Sequence, residues 1–171
     1  MGNPVLFGYH GCYLRVDVSC GSVERVPLPE TVLRQFIGGS GLGAWLLLEE
    51  TGSWSDPLAA DAPLLFVFSP LVGSPLTTSA KFAVVSRSPL TDRINDSLAS
   101  SGFAIAGKRC GCDAIVVTGR ASELSVLIVD DGRVRLEAVE DLRGASCPVT
   151  EKTLKARLGP DYQIASIGPA G

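Results

Sequence analysis

Residues 37–50 read IGGSGLGAWLLLEE, and two different folds hang on this stretch. Gly39-Ser40-Gly41-Leu42-Gly43-Ala44 fits the loose dinucleotide pattern G-x-G-x-x-A, which would make the chain a doubly wound α/β protein. A phosphate cradle needs a strand running into the glycines, a helix opening onto the pyrophosphate, and an acidic residue closing a second strand about 20 residues on. The residues before these glycines are instead Val32, Leu33, Phe36 and Ile37, spaced as one helix face. Pro29-Glu30 suits the first turn of that helix, where a missing N–H costs nothing. No strand ending in an acidic residue follows at the required distance. The stretch therefore reads as a joint between two helices. Gly38 or Gly39 takes the left-handed position after the first helix, and Gly41 or Gly43 lets the second, over 42–50, pack closely.

Outward from the joint, the pattern is mostly strand. Leu14, Val16 and Val18 alternate with Arg15 and Asp17, a turn cluster follows at 19–22, and residues 23–26 return as a hairpin. Residues 64–68 form a continuous apolar run, the mark of a central strand, and KFAVVS at 81–86 is another strand. Residues 97–109 are rich in small side chains and read as a helix, with Asn95, Asp96 and Ser97 as natural caps. Residues 114–117 are a strand. Residues 124–129 and 133–136 flank Asp131-Gly132, the dipeptide of a type I′ hairpin. Residues 150–158 read as a short helix stopped by Gly159-Pro160, and 164–167 begin one more strand. This order is not a βαβ alternation. The expected fold class is α+β: a β-rich domain with mixed or antiparallel sheets and a few short helices.

Composition narrows the function. The 171 residues are 46% hydrophobic and 19% charged, enough for one packed domain. A net charge of −3 without a Lys/Arg cluster argues against nucleic acid or an anionic membrane surface as partner. No apolar run is long enough to span a bilayer. The start MGNPVLFGYH lacks a leader's basic end and apolar core, and Leu6 breaks the myristoylation pattern. A cytoplasmic location is expected. Five scattered cysteines suit reduced thiols. Cys110-Gly111-Cys112, with no second pair and His10 the sole histidine, reads as small residues flanking a turn rather than a metal site. No nucleophile elbow, HExxH or P-loop is present, so no catalytic or metal-ligating residue is assigned.

The remaining candidates are polar. Two strands each run into Ser-Pro-Leu, at 69–71 and 88–90, and polar residues rich in Ser and Thr follow. Ser97, Ser100 and Ser101 would surround a helix N-terminus able to accept an anion. These loops read as a platform for a ligand rather than as an active site complete in itself.

Several stretches taken together resemble the N-terminal domain of the tungsten-containing aldehyde ferredoxin oxidoreductase family. They are LRVDV (14–18), FIGGSGLG (36–43), FAVVSRSPLT (82–91), DAIVVTGRA (113–121) and IASIGPAG (164–171). The resemblance covers nearly the whole chain, taken as one domain over 1–171 that is incomplete at its C-terminal end. It implies an enzyme that oxidises aldehydes to carboxylic acids and passes electrons to ferredoxin. It further implies tungsten or molybdenum held by two pterins, and a [4Fe–4S] cluster. The N-terminal domain would be the base under the pterins.

What the resemblance implies for individual residues is uneven. Lys81 stands where the family commonly has an arginine between pterin and cluster, keeping the charge but not the planar fork. The family's Asn-x-Gly-Gly pterin loop falls on Leu98-Ala99-Ser100-Ser101, where neither the Asn nor the glycines are kept, so Asn95 or Ser97 would substitute. The cofactor-facing set is thus Lys81, Asn95, Ser97, Ser100 and Ser101. The family's C-x-x-C-x-x-x-C cluster spacing matches none of the five cysteines, so metal and cluster need residues beyond this chain. The implied partners are ferredoxin, an aldehyde, and the remaining domains or a companion subunit; a homodimer is compatible. Two rivals stand beside this reading. One is a non-catalytic binding or assembly module that reuses the domain, and the more distant one is a nucleotide-binding domain.

Overall fold

The computed structural model describes residues 8–51 and 56–169. The first seven residues, on which much of the leader argument rests, and the last two residues of IASIGPAG lie outside the described part. A six-stranded mixed sheet organises the molecule, in the order β2-β1-β6-β3-β4-β5. Its strands are β1 (Cys12–Asp17), β2 (Ser22–Pro27), β3 (Leu64–Phe68), β4 (Lys81–Arg87), β5 (Ile94–Ser100) and β6 (Ala114–Thr118). Only β1 and β6 run parallel; every other neighbouring pair is antiparallel. A separate hairpin pairs β7 (Ser125–Asp130) with β8 (Arg133–Ala138). Asp131 and Gly132 at its tip have φ of 46° and 75°, as a type I′ turn demands.

Alternation along the strands builds two apolar layers. Leu65, Val67, Ala83, Val85, Ala114 and Val116 face helices α1 (Glu30–Gln35) and α2 (Gly38–Thr51), meeting Leu33, Leu42 and Leu46. On the opposite face Phe68, Phe82 and Ile115 pack against helix α3 (Gly102–Arg109) through Ala104 and Phe103. A third cluster lies under the hairpin, where Val139, Leu142 and Leu154 join the last helix, α4 (Cys147–Leu158), to a 3₁₀ turn at Glu140–Leu142. No described helix is long and apolar enough to cross a membrane.

The opening glycines resolve as a packing joint. A helix, α1, precedes them and no strand does, which removes the dinucleotide reading. Gly39 has φ 53° and ψ −135°, a non-helical break that only glycine tolerates readily, and the helix proper follows it. A Cβ on Gly43 would lie 2.6 Å from Val85 Cγ2, so glycine there lets α2 rest directly on β4.

Two expectations are corrected. Residues 97–109 are not one helix: residues up to Ser100 are the edge strand β5, and α3 begins at Gly102. Pairing with the whole length of β4 outweighs the weak helical preference of small side chains. The helix cap is accordingly Ser101, whose Oγ accepts the Phe103 N–H at 3.2 Å, rather than Asn95, Asp96 or Ser97. Residues 164–167 also form no strand, because no described strand lies alongside them to complete a ladder.

Candidate functional site: the open edge of the sheet

β5 is exposed along its whole length. Its inner side is bonded to β4, with Ser88 N–H donating to Arg93 O at 2.8 Å and Ser101 N–H to Ala80 O at 3.2 Å, just beyond the two ends of the ladder. Antiparallel pairs alternate between bonded and non-bonded, so the main-chain groups of Ile94, Asp96, Leu98 and Ser100 point away from the sheet. Large apolar side chains crowd this rim: Leu90 is 91% and Leu98 66% exposed.

All five expected site residues lie on this margin, and all are exposed. The register divides them. Lys81 is opposite Ser100, on the face shared with Ala83 and Val85 and covered elsewhere by α2. Ser97 is opposite Val84 and Asn95 opposite Ser86, on the face shared with Phe82 and α3. The expected cluster is therefore two pairs on opposite faces of one edge.

Their engagement differs too. The Lys81 ammonium has no ion pair or hydrogen bond among the described residues. Ser100 Oγ donates to Ala80 O at 3.1 Å, and Ser101 is committed to its cap. Asp96 accepts the Ser40 hydroxyl at 2.6 Å, tying the middle of β5 to the glycine joint. The hydroxyls of the Ser-Pro-Leu stretches are local: Ser69 Oγ accepts from Leu71 N–H, Ser74 Oγ from Leu76 N–H and Ser88 Oγ from Thr91 N–H. They shape the loops as side-chain turns and offer no convergent site.

Away from the edge, ionisable groups serve the frame. Asp113, fully buried, accepts from Lys108 Nζ at 2.5 Å and from the main-chain N–H groups of His10 at 3.0 Å and Gly11 at 2.7 Å. Glu50 accepts from the Tyr13 hydroxyl and from Arg15 Nε at 2.9 Å. Burial first, and then this carboxylate, raises the Tyr13 hydroxyl well above the ordinary phenol range. Burial pushes the Cys112 thiol up to about 12. Cys110 and Cys112 flank a turn at Gly111, as expected, with Cys112 buried. Among the described residues no group of three or more His, Cys, Asp or Glu is placed to hold a metal. Sequence periodicity carried no signal for the Asp113 knot, because its members are brought together from residues 103 positions apart.

The chain was compared with known proteins. Residues 13–171 match the family described as aldehyde ferredoxin oxidoreductase, N-terminal domain. The chain belongs to this family. A tungsten-containing aldehyde ferredoxin oxidoreductase of Pyrococcus horikoshii is 35% identical over 169 residues, 97% of this chain but 28% of the relative. An aliphatic sulfonate oxidoreductase, WOR-like subunit, of Pyrococcus furiosus is 34% identical over 134 residues, 77% of this chain and 21% of the relative. The fold matches a chain of the active site complex BamBC of benzoyl coenzyme A reductase, solved with 1,5-dienoyl-CoA. There the TM-score is 0.89 at 28% identity, over 95% of this chain and 25% of that one. This aldehyde ferredoxin oxidoreductase N-terminal domain thus spans about a quarter of the length of its relatives, and the α+β expectation agrees with the matched structure.

Proposed function

We propose that this domain is the base on which a tungsten- or molybdenum-bearing bis-pterin cofactor sits in a cytoplasmic, aldehyde-oxidising enzyme. The domain would continue beyond Gly171, and ferredoxin would take the electrons. The observation that carries the reading is the family match over 13–171. The names of the relatives support its finer part. The same domain stands in proteins named for an aldehyde and an aliphatic sulfonate, and in the fold of one solved with a dienoyl-CoA. A part common to such different substrates suits holding a common cofactor, while other parts choose the substrate.

The residues at the β5 margin fit such a group in chemistry. The Lys81 ammonium, with no partner among the described residues, would meet anionic oxygens of the pterin as a point charge. The Ser100 hydroxyl opposite it keeps lone pairs free while donating to Ala80. Asn95 offers an amide's two donors and one acceptor oxygen, and Ser97 a hydroxyl, on the other face. When bound, the cofactor would supply the redox chemistry of RCHO + H₂O → RCOOH + 2H⁺ + 2e⁻, with an iron–sulfur cluster and ferredoxin as the route for the electrons. The cluster's ligands would come from outside this chain.

Replacing a charge-assisted contact removes about 1.5–3 kcal/mol, roughly ten- to a hundredfold in binding. Lys81→Ala in the assembled enzyme is expected to lower pterin content by at least about tenfold, read as fluorescence of the released, oxidised pterin. Lys81→Arg should restore it. Full pterin content in Lys81→Ala, and again in Asn95→Ala/Ser97→Ala, would remove this margin from the cofactor site.

A further inference from the structure

Three of the five cysteines gather in one place, although the sequence shows only two of them as neighbours. Cys12 opens β1, while Cys110 and Cys112 flank the turn after α3, and all three pack into the cluster on the α3 face of the main sheet. Parallel pairing of β1 with β6 brings them together. Asp113 N–H donates to Cys12 O at 2.8 Å and carries this ladder one residue past its start, so Cys12 stands beside the end of the turn. The three thiols are not set as metal ligands.

Cys12 and Cys112 are placed for different tasks. The Cys12 thiol is half-buried and donates at 3.4 Å to Gly111 O, the carbonyl of the peptide bond that leads into Cys112. Arg25 of β2 holds this arrangement from outside. Its Nη1 donates to Cys12 Sγ at 3.0 Å and to Gly111 O at 2.5 Å. No carboxylate pairs with the guanidinium among the described residues, so its charge is directed at the sulfur and a neutral carbonyl. The hairpin tip confines it: a Cβ on Gly132 would lie 2.9 Å from Arg25 Nη2. Cys112 is buried and kept protonated, first by that burial and then by the nearby Cys110 and Cys12 thiols. Cys110 is turned away from β1, its thiol donating to Ala106 O at 3.4 Å and facing Val129 O at 3.9 Å. Reactive cysteines occupy partly exposed, electropositive surroundings, and a second thiol within reach converts their first oxidation product to a disulfide.

We propose that Cys12 and Cys112 form a peroxide-responsive dithiol, in which Cys12 reacts first and Cys112 closes the disulfide. The Cys12 sulfur attacks one oxygen of hydrogen peroxide, the O–O bond breaks, and a sulfenic acid and one water result. The Cys112 sulfur then attacks the sulfenic sulfur, the S–O bond breaks, and the second water leaves with the Cys112 proton. The sum is 2 RSH + H₂O₂ → RSSR + 2H₂O, with the thiols losing two electrons and the peroxide gaining them. The pair lies toward the opposite end of the main sheet from β5, so the inference does not depend on the cofactor reading of that margin.

Peroxide titration of the assembled enzyme, purified reduced from its own source and mapped by mass spectrometry after alkylation, tests it. The expected product is a Cys12–Cys112 link that a thiol reductant reverses. Cys12 should be consumed on the order of tenfold faster than Cys20, which is more exposed but lies outside the cluster. Arg25→Ala should bring Cys12 down to the rate of Cys20, and Arg25→Lys should restore part of the difference. Cys110→Ala should keep the link, whereas Cys112→Ala should abolish it and leave Cys12 to proceed to the sulfinic acid. Equal consumption of Cys12 and Cys20 overturns the proposal, as does a Cys12 link that survives Cys112→Ala, or sulfinic acid at Cys12 with Cys112 in place. Each outcome is read on the thiols of this domain, whichever cofactor the assembly holds.

Discussion

Asp113 shows at the residue scale how this fold spends its buried charge. The carboxylate is fully shielded from water and holds the Lys108 ammonium together with two main-chain N–H groups from the start of the described chain. Such a group is costly only when a partner is removed, because the other charge is then left buried and unpaired. Asp113→Asn is expected to destabilise the chain by about 3–5 kcal/mol, read by urea unfolding. A loss below 1 kcal/mol would mean that Lys108 reaches water without it. Cys112 gives a pH-dependent counterpart. Its thiol is held at about 12, above the ordinary value, so the folded state keeps a proton that the unfolded chain releases. The stability this contributes is complete below the unfolded thiol's pKa and is lost as pH rises through that value toward 12. Native Cys112 should resist iodoacetamide at pH 8.5 while exposed Cys20 and Cys147 react. Comparable rates would contradict its burial.

The element scale shows what a single sequence can reveal. Hairpins, the central strand β3 and the helix joint were legible because each is written locally. Asp131-Gly132 specifies its own turn, and a run such as LLFVF needs burial on both faces. β5 was not legible. Its small, polar residues have no period, and what makes them a strand is the partner β4 rather than anything within 94–100. The same limit applies to the candidate site. The residues named from the sequence share one margin, but only strand register reveals that Lys81 and Ser100 lie on one face and Asn95 and Ser97 on the other. Ser101, named with the same set, already accepts the Phe103 N–H that caps α3. Ser101→Ala is therefore expected to cost about 1 kcal/mol, visible as a lowered Tm, because α3 loses its cap. Its effect on pterin content should be small beside that of Lys81→Ala. A stability unchanged to within 0.3 kcal/mol, with pterin lost, would reverse the two roles.

On the scale of the whole molecule, two incomplete surfaces agree with the quarter-length match. The β5 margin presents exposed leucines and unpaired main-chain groups, and β7 presents an interior strand's pattern to an open cleft. A domain that stood alone would be expected to cover such surfaces. The most direct measurement is elemental analysis of the assembled enzyme, purified from its own source and assayed for aldehyde-dependent viologen reduction. The account predicts tungsten or molybdenum in fixed ratio to this domain, together with iron, and reduction that starts when aldehyde is added. An assembly free of all three metals and inert to aldehydes would contradict it.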